Sequence, residues 1–429
     1  MTSAQMKDSG IAWIGQVPSD WDIHRVKYHF QHDKHVVGIH SSKYERLALT
    51  MQGVIKRSKE DNEGLQPEDF ASYQILRQNE LVFKLIDLQN ISTSRVGLSP
   101  YEGLVSPAYI ILHASSASCP KYAYYFFLFM WLDAIFNSLG DAGVRSSLNA
   151  GDLLNLPLVV PPLPEQQRMA DYLDKKCAEI DTLSQNIQKQ IDTLEQYKRA
   201  VITETVTKGL NPSAPMKDSG IPWIGQIPQH WNTIKVKFLA SFYNGYAFDS
   251  ESLTDEGDTT VIRIGDICEG SIKPETALKY NGPTLTLKPY QIEKEDILIA
   301  LSGATVGKTG YITKDYPNTF INQRVGIIRS TNSRFLNYAL QTSSFIPFAL
   351  LHAAASAQPN ISLDTIGNYT IAFPNNSGEQ QQIVDCLDDK CGKIDAIIQG
   401  KQQQLEKLEQ YKKATIFEYV TGKKQVPEV

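Results

Sequence analysis

The segment Ser302 to Thr309 reads SGATVGKT and comes nearest, in this sequence, to a known reaction site. A phosphate loop needs Gly-x4-Gly-Lys-Ser/Thr, so that successive backbone amides wrap a nucleotide's phosphates. Here three residues separate Gly303 from Gly307, Ser302 stands where the first glycine belongs, and no acidic strand follows to hold Mg²⁺. The spacing argues against nucleotide binding. A glycine turn also brings backbone close to a nucleic acid, with Lys308 and Thr309 in reach of a phosphate. A plain structural turn is the competing reading.

Five of the eight histidines fall together as His24, His29, His32, His35 and His40. A metal site wants imidazoles on a rigid frame, usually with cysteine or carboxylate help. This stretch has no cysteine and no helical period, so the expectation is polar, DNA-facing histidines and no metal. A free-standing enzyme would need a nucleophile, paired carboxylates or a methyl-donor motif of the N/D-P-P-Y/F type, and none is found. No catalytic residue is therefore assigned.

Local charge points to DNA. His24 to Lys59 holds Arg25, Lys27, Lys34, Lys43, Arg46, Lys56, Arg57 and Lys59 against Asp33 and Glu45. Ala300 to Leu363 holds Lys308, Lys314, Arg324, Arg329 and Arg334 against Asp315 alone. Asp249 to Asp258 is wholly acidic and is expected to face away from DNA. Local basic excess is the electrostatic footprint of phosphate binding. Arginine pairs in bidentate fashion with guanine, and Asn or Gln with adenine. The candidate contacts are Lys56, Arg57, Ser94, Arg95, Arg145 and Asn149 in the first half, with Ser146 and Ser147 beside them. In the second half they are Arg263, Lys308, Thr309, Gln323, Arg324, Gln358 and Asn360.

These residues sit in a chain of 429 residues, 42% hydrophobic and 21% charged, with net charge −5. That length implies more than one core. The longest apolar stretch, Tyr122 to Leu132, is too short to span a bilayer, and Met1 to Gly10 lacks the pattern of a secretory signal. The five cysteines contain no CxxC pair, which fits reduced thiols in a cytoplasm.

The chain is a tandem duplication. MKDSGIAWIGQVPSDW (Met6 to Trp21) returns as MKDSGIPWIGQIPQHW (Met216 to Trp231), with 12 of 16 positions identical at an offset of 210. Glu165 to Thr207 returns as Glu379 to Thr421, with 23 of 43 identical at an offset of 214. Residues 22–164 and 232–378 look unrelated. Within the second repeat, apolar residues recur three and four apart, the stripe of a long amphipathic helix. The stripe comprises Leu173, Cys177, Ile180, Leu183, Ile187, Ile191, Leu194, Tyr197 and Val201, then Leu387, Cys391, Ile394, Leu405, Leu408 and Tyr411. Pro164 suits the first turn of the first helix, and Ser377 with Gln380 reads as a capping box for the second. One apolar stripe needs a partner, and the other copy is the obvious one.

The segments between the repeats are mixed. Glu80 to Gly97 and Glu295 to Gly310 read as strands closed by tight loops. Tyr122 to Leu139 and Phe335 to Leu351 read as helices. Leu156 to Pro161 and Tyr369 to Pro374 read as strands leading into the long helices. The fold class is α+β: two globular domains joined by two long antiparallel helices in a pseudo-twofold repeat.

This arrangement resembles the specificity subunit of Type I restriction–modification enzymes. MKDSGI-x-WIGQ-x-P-x-x-W before each globular domain carries the likeness, as do PPLPEQQ or PNNSGEQQ opening each long helix. The tails KRAVITETVTKG and KKATIFEYVTGK and the loop LSGATVGKTG carry it further, and YEGLVSPAYIIL matches more loosely. The resemblance implies target recognition domains at 1–162 and 216–376 and conserved helices at 163–209 and 377–423. A linker at 210–215 and a tail at 424–429 complete the chain. Each domain would read one half of a split, asymmetric double-stranded DNA site. The helices, through Leu173, Ile180, Leu183, Ile187, Ile191, Leu194, Leu387, Ile394, Leu405 and Leu408, would form the spacer and dock two methyltransferase subunits. Restriction subunits with translocase activity would join them. S-adenosylmethionine, ATP and Mg²⁺ would belong to those partners, with no cofactor in this subunit. An adaptor built only on paired helices is the alternative, and the basic segments favour DNA over it.

Overall fold

The structure, a computed structural model, describes residues 5–61, 70–89, 93–139, 147–268, 270–353 and 359–427. It divides into two compact units: Met1–Ile187 with Gln403–Val429, and Gln188–Gln402. Both unit boundaries fall inside the long helices, Leu163–Lys208 and Ser377–Val420. Each unit thus holds one globular domain, the first part of the helix that follows it and the last part of the other helix. Among the described residues, no helix is long and apolar enough to cross a membrane.

In the first unit the strands form two four-stranded sheets. One places Leu81–Phe83 between Val96–Leu98 and Ile110–Ala114, with Phe30–Gln31 on the outside, all antiparallel. The other runs Gly53–Arg57, Arg46–Thr50, Gly103–Val105, Gln74–Leu76, with one parallel pairing, Leu104 against Arg46. The second unit also has two four-stranded sheets and repeats the antiparallel one. Ser241–Asn244, Val325–Arg329, Ile297–Ala300 and Thr309–Tyr311 make the antiparallel sheet. Leu253–Thr254, Leu278–Tyr280, Thr259–Ile262 and Thr319–Ile321 make the other, again with one parallel pairing. Segments that look unrelated as sequence thus share the antiparallel sheet, while the other sheet differs: its parallel pair is central in the first unit and at the edge in the second.

The helix Pro120–Leu132 is apolar on every face and buries Tyr122, Ala123 and the run Tyr125 to Met130. A helix of that composition belongs inside a core. Helix Tyr122 to Leu139 is expected to be continuous. Instead it breaks at Ala134, whose φ of +54° is left-handed, before Ile135–Leu139 resumes. The expected helix Phe335 to Leu351 is likewise two pieces, Ser333–Ala339 and Phe345–Ala353. Pro347 has no N–H to donate and is tolerated only in a first turn, so a helix containing it must restart just upstream.

The strands that lead into the long helices pair with strands that follow the entry segments: Pro157–Val160 with Asp22–Arg25, and Thr370–Phe373 with Asn232–Lys235. Trp21 Nε1 donates to Glu165 at 3.2 Å, and Trp231 Nε1 to Glu379 at 3.0 Å, so each entry segment is bonded to the first turns of a long helix. Ser377 is not the cap. Asn376 Oδ1 accepts the Gly378 N–H at 2.7 Å, while Gln380 Nε2 donates back to the Pro374 carbonyl.

Candidate nucleic-acid interface

In the first unit, the hairpin Arg46–Thr50 and Gly53–Arg57 carries the basic candidates. Tyr44, Glu45, Arg46, Lys56, Arg57 and Lys59 line an open cavity of about 520 Å³. Lys56 is exposed, pairs with Glu45 at 2.5 Å, and has its ammonium pKa raised by that partner. Arg57 lies 4.0 Å from Asp61, and Lys59 Nζ donates to the Ser41 carbonyl at 2.6 Å. Lys56 also lies over the Tyr101 ring. The cleft is basic, with aromatic surface beside it.

Two of the first-half candidates do not lie on that surface. Ser94 is buried and donates to the Val96 carbonyl at 2.7 Å. Arg95 is fully buried, its Nη2 donating to the Asp87 carbonyl, and burial lowers its pKa. These are interior groups holding the loop before strand Val96–Leu98, because a polar side chain inside a core must find its partners locally. Asn149 is exposed, but its Oδ1 accepts from Gly151 and Asp152 N–H, a helix N-cap. Ser147 is exposed at the edge of the described residues; Arg145, Ser146 and Gln358 lie outside them.

In the second unit, Gln323, Arg324 and Asn360 come together. With Asn244, Ser302, Ser362 and Asp364 they line a groove of about 710 Å³. Ser302 bridges Asn360 in an isolated β-pair, Gly303 N–H donates to the Pro359 carbonyl, and Leu301 N–H to the Arg324 carbonyl. Backbone bonds therefore fix three chain segments side by side, leaving the Gln323, Arg324 and Asn360 side chains exposed. Gly245, after the groove residue Asn244, lets a fourth segment pack on the chain just before Gln323, since a Cβ there would stand 2.0 Å from the Asn322 carbonyl oxygen.

Lys308 is exposed but lines a different cavity, with Arg199, Gly307 and Gln341. Thr309 is buried in the strand Thr309–Tyr311, so it is not a phosphate contact. The SGATVGKT loop is a hairpin turn. Gly303 and Gly307 take φ of +74° and +83°, and the N–H groups of Gly303, Val306, Gly307 and Lys308 all donate to backbone carbonyls. A phosphate cradle needs those donors free, and a helix rather than a strand after them. Arg263 is half-buried beside Asp266, at 3.7 Å.

Not all of the second basic excess is available to DNA. Arg329 holds buried Asp296 through two parallel bonds of 2.7 and 2.8 Å, with Glu293 2.9 Å away. Arg334 pairs with Asp388 at 2.6 Å.

The helix seam differs from the expected stripe at three positions, one of them Tyr411, which is 50% exposed. Leu173, Cys177, Ile180, Ile187 and Ile191 are buried, Leu194 half-buried, and Leu387, Ile394, Leu405 and Leu408 are buried or half-buried. Leu183 is 48% exposed and Tyr197 59%, and so neither belongs to the seam. Ser184 and Lys198, half-buried, hold the positions that continue the seven-residue repeat from Cys177 and Ile191. Apolarity alone misreads the phase where the seam is polar. Cys177 and Cys391, repeat equivalents, are buried there, with thiol pKa pushed up to about 11.

One contact was invisible in sequence. In the first unit, Tyr125 donates to Asp174 at 2.7 Å and Lys121 pairs with the same carboxylate at 2.6 Å. In the second, Tyr338 donates to Asp388 at 2.5 Å, beside Arg334. Asp174 and Asp388 are repeat equivalents. A base-x3-Tyr pattern in each otherwise dissimilar domain docks a domain helix on a long helix.

Comparison with known proteins agrees with this architecture. The chain is 28% identical over 280 residues to the Type I restriction enzyme MjaVIII specificity subunit of Methanocaldococcus jannaschii, covering 63% of each chain. It therefore spans slightly under two thirds of that relative. It is 24% identical over 429 residues to the putative MjaX specificity subunit of the same organism, covering 96% of each. A chain from a structural study of assembly and conformational transition in the type I R-M system shares the fold. Its TM-score is 0.62 at 13% identity, covering 95% of this chain and 99% of that one. The family described as Type I restriction modification DNA specificity domain matches residues 54–193 and 228–407. Two matched segments cover most of the chain, one in each half, and it belongs to that family.

Proposed function

We propose that this chain is the DNA-reading specificity subunit of a Type I restriction–modification complex. Each α+β domain reads one half of a split site, and the paired helices set the gap and dock two methyltransferase subunits. One observation carries the reading: two domains built on the same antiparallel sheet display different polar side chains. Exposed Lys56, with half-buried Arg57 beside it, marks one, and exposed Gln323, Arg324 and Asn360 mark the other. One scaffold with two different reading surfaces suits an asymmetric target, since identical domains would select a palindrome.

Specificity subunits of this kind are generally non-catalytic. Adenine methylation and ATP-dependent cleavage are then properties of the assembly, in the cytoplasm. S-adenosylmethionine, ATP and Mg²⁺ bind the methyltransferase and restriction subunits. Affinity for phosphates comes from local basic surfaces, so net charge −5 is no obstacle. A protein-only adaptor would need the helices but neither reading surface.

Lengthening the helices tests the reading. Gln190 bonds Lys401, so seven residues must be inserted beside both to keep the seam in phase. That adds about 10 Å of helix, or about three base pairs at 3.4 Å each. Methylome sequencing of a host carrying the lengthened subunit should show the same half-sites about three base pairs further apart. Unchanged spacing would refute the role of the helices, and loss of any DNA preference in the parent complex would favour the adaptor.

A further inference from the structure

We infer that Asp33, His35 and His113 form a binding site for a divalent transition-metal ion of the zinc class. The inference does not depend on DNA reading. One ligand atom from each of the three residues lies within 4.8 Å of the others, the one such cluster found among the described residues. Two imidazoles and a carboxylate are a zinc-type donor set. Bonds of about 2.0–2.1 Å place neighbouring ligand atoms roughly 3.4 Å apart. The exposed Asp33 and His35 side chains need move only slightly to close on an ion.

The case rests on His113. Its Nδ1 lies 2.7 Å from Glu80 Oε1, while its Nε2 is shut off from solvent and has no hydrogen-bond partner. Glu80 is itself anchored: its Oε2 accepts the Arg77 N–H at 2.7 Å, and its carbonyl accepts the Ser99 N–H. A proton between Nδ1 and Glu80 leaves Nε2 as a bare lone pair on a ring that packs edge-on to the His35 imidazole and clusters with the Asp33 carboxylate. A buried acceptor facing other acceptors is costly unless a cation lies among them. A carboxylate behind a histidine's far nitrogen is the usual support of a metal-bound imidazole.

The backbone supplies the frame. His113 sits in strand Ile110–Ala114, paired with Gln31. Two residues beyond Gln31 the chain reaches Asp33, and the His35 carbonyl accepts the Ile75 N–H at 2.9 Å. An ion here ties the segment 33–35, which precedes the turn Gly38–Lys43, to the central antiparallel sheet. Three other histidines of this region are otherwise engaged. His24 and His29 stack and bond each other, His29 also bonds Ser118, and His32 bonds the Ile111 carbonyl.

Cobalt(II) is the probe, because its visible absorption reports the ligand set. Titrating the full chain with Co²⁺ should give one bound equivalent with visible bands, displaced by Zn²⁺. Asp33→Asn and His35→Ala, at exposed positions that leave the fold intact, should abolish it. Glu80→Gln should weaken it about 10- to 100-fold, and His24→Ala should leave it unchanged. No cobalt uptake would overturn the proposal. Uptake unaffected by both Asp33→Asn and His35→Ala would overturn it equally.

Discussion

Lys412 donates to both carboxylate oxygens of Asp181, at 2.6 and 2.8 Å, joining the end of the second long helix to the start of the first. In the second unit Lys198 does the same to Asp395, at 2.7 Å to each oxygen. The 214-residue offset turns Asp181 into Asp395 and Lys198 into Lys412. The same two repeat positions therefore pair twice, with the acid and the base exchanging helices. That exchange fixes the antiparallel direction, because parallel helices would bring like positions together. Half-exposed ion pairs are worth about 0.2–1 kcal/mol. A double-mutant cycle with Asp181→Asn and Lys412→Met, read by urea unfolding, should give a coupling energy in that range. A value near zero would remove the pair from the forces that set direction.

Arg329 and Asp296 should behave otherwise. Asp296 is fully buried, and Arg329→Ala leaves its carboxylate without a bidentate partner. Removing one member of a buried ion pair costs about 3–5 kcal/mol. Denaturant unfolding of the second unit should shift by that amount. A shift below about 1 kcal/mol would show that Glu293 and the Arg329 site are structurally dispensable.

Arg324 separates reading from folding. It is exposed in the groove with Gln323 and Asn360, so Arg324→Ala should change stability by less than about 0.5 kcal/mol. Binding of target DNA by the assembled complex, measured by fluorescence anisotropy, should weaken by about 1–3 kcal/mol. Arg95→Ala should show the reverse pattern, with lost stability and no direct effect on base preference.

The docking tyrosines carry a pH signature. Burial first, and the Asp174 or Asp388 bond second, raise the Tyr125 and Tyr338 pKa above the usual 10.0. A raised folded-state pKa gives stability that is complete below pH 10 and is lost as pH rises above it. Replacing both tyrosines with phenylalanine should cost about 1.5–3 kcal/mol per bond at neutral pH. It should also flatten the fall in Tm above pH 10. A parent and variant with parallel profiles would exclude the tyrosines as its source.

The duplication and the helices were legible because identity and apolar spacing are properties of sequence alone. The strands around Glu295 to Gly310 were legible because their apolar run is closed by glycines. The antiparallel sheet common to the two domains was not, since strand pairing uses backbone groups that every residue carries. Burial was also hidden. Ser94, Arg95 and Thr309 read as surface polar residues, yet each lies in the interior. His113 lies 73 residues or more from the histidine cluster, and only strand pairing brings it beside Asp33 and His35.

The division of the chain into units also sets an order in time. Residues 188–402 are continuous, so the second unit has all its parts once they have left the ribosome. The first unit waits for Ile416, Tyr419 and Val420, which belong to its core, and for the Val420 carbonyl that accepts the Tyr122 hydroxyl. At about 5–20 residues per second, the half made first stays open until the second long helix has been made. A ribosome that stops before residue 416 therefore releases a chain whose first domain lacks part of its core.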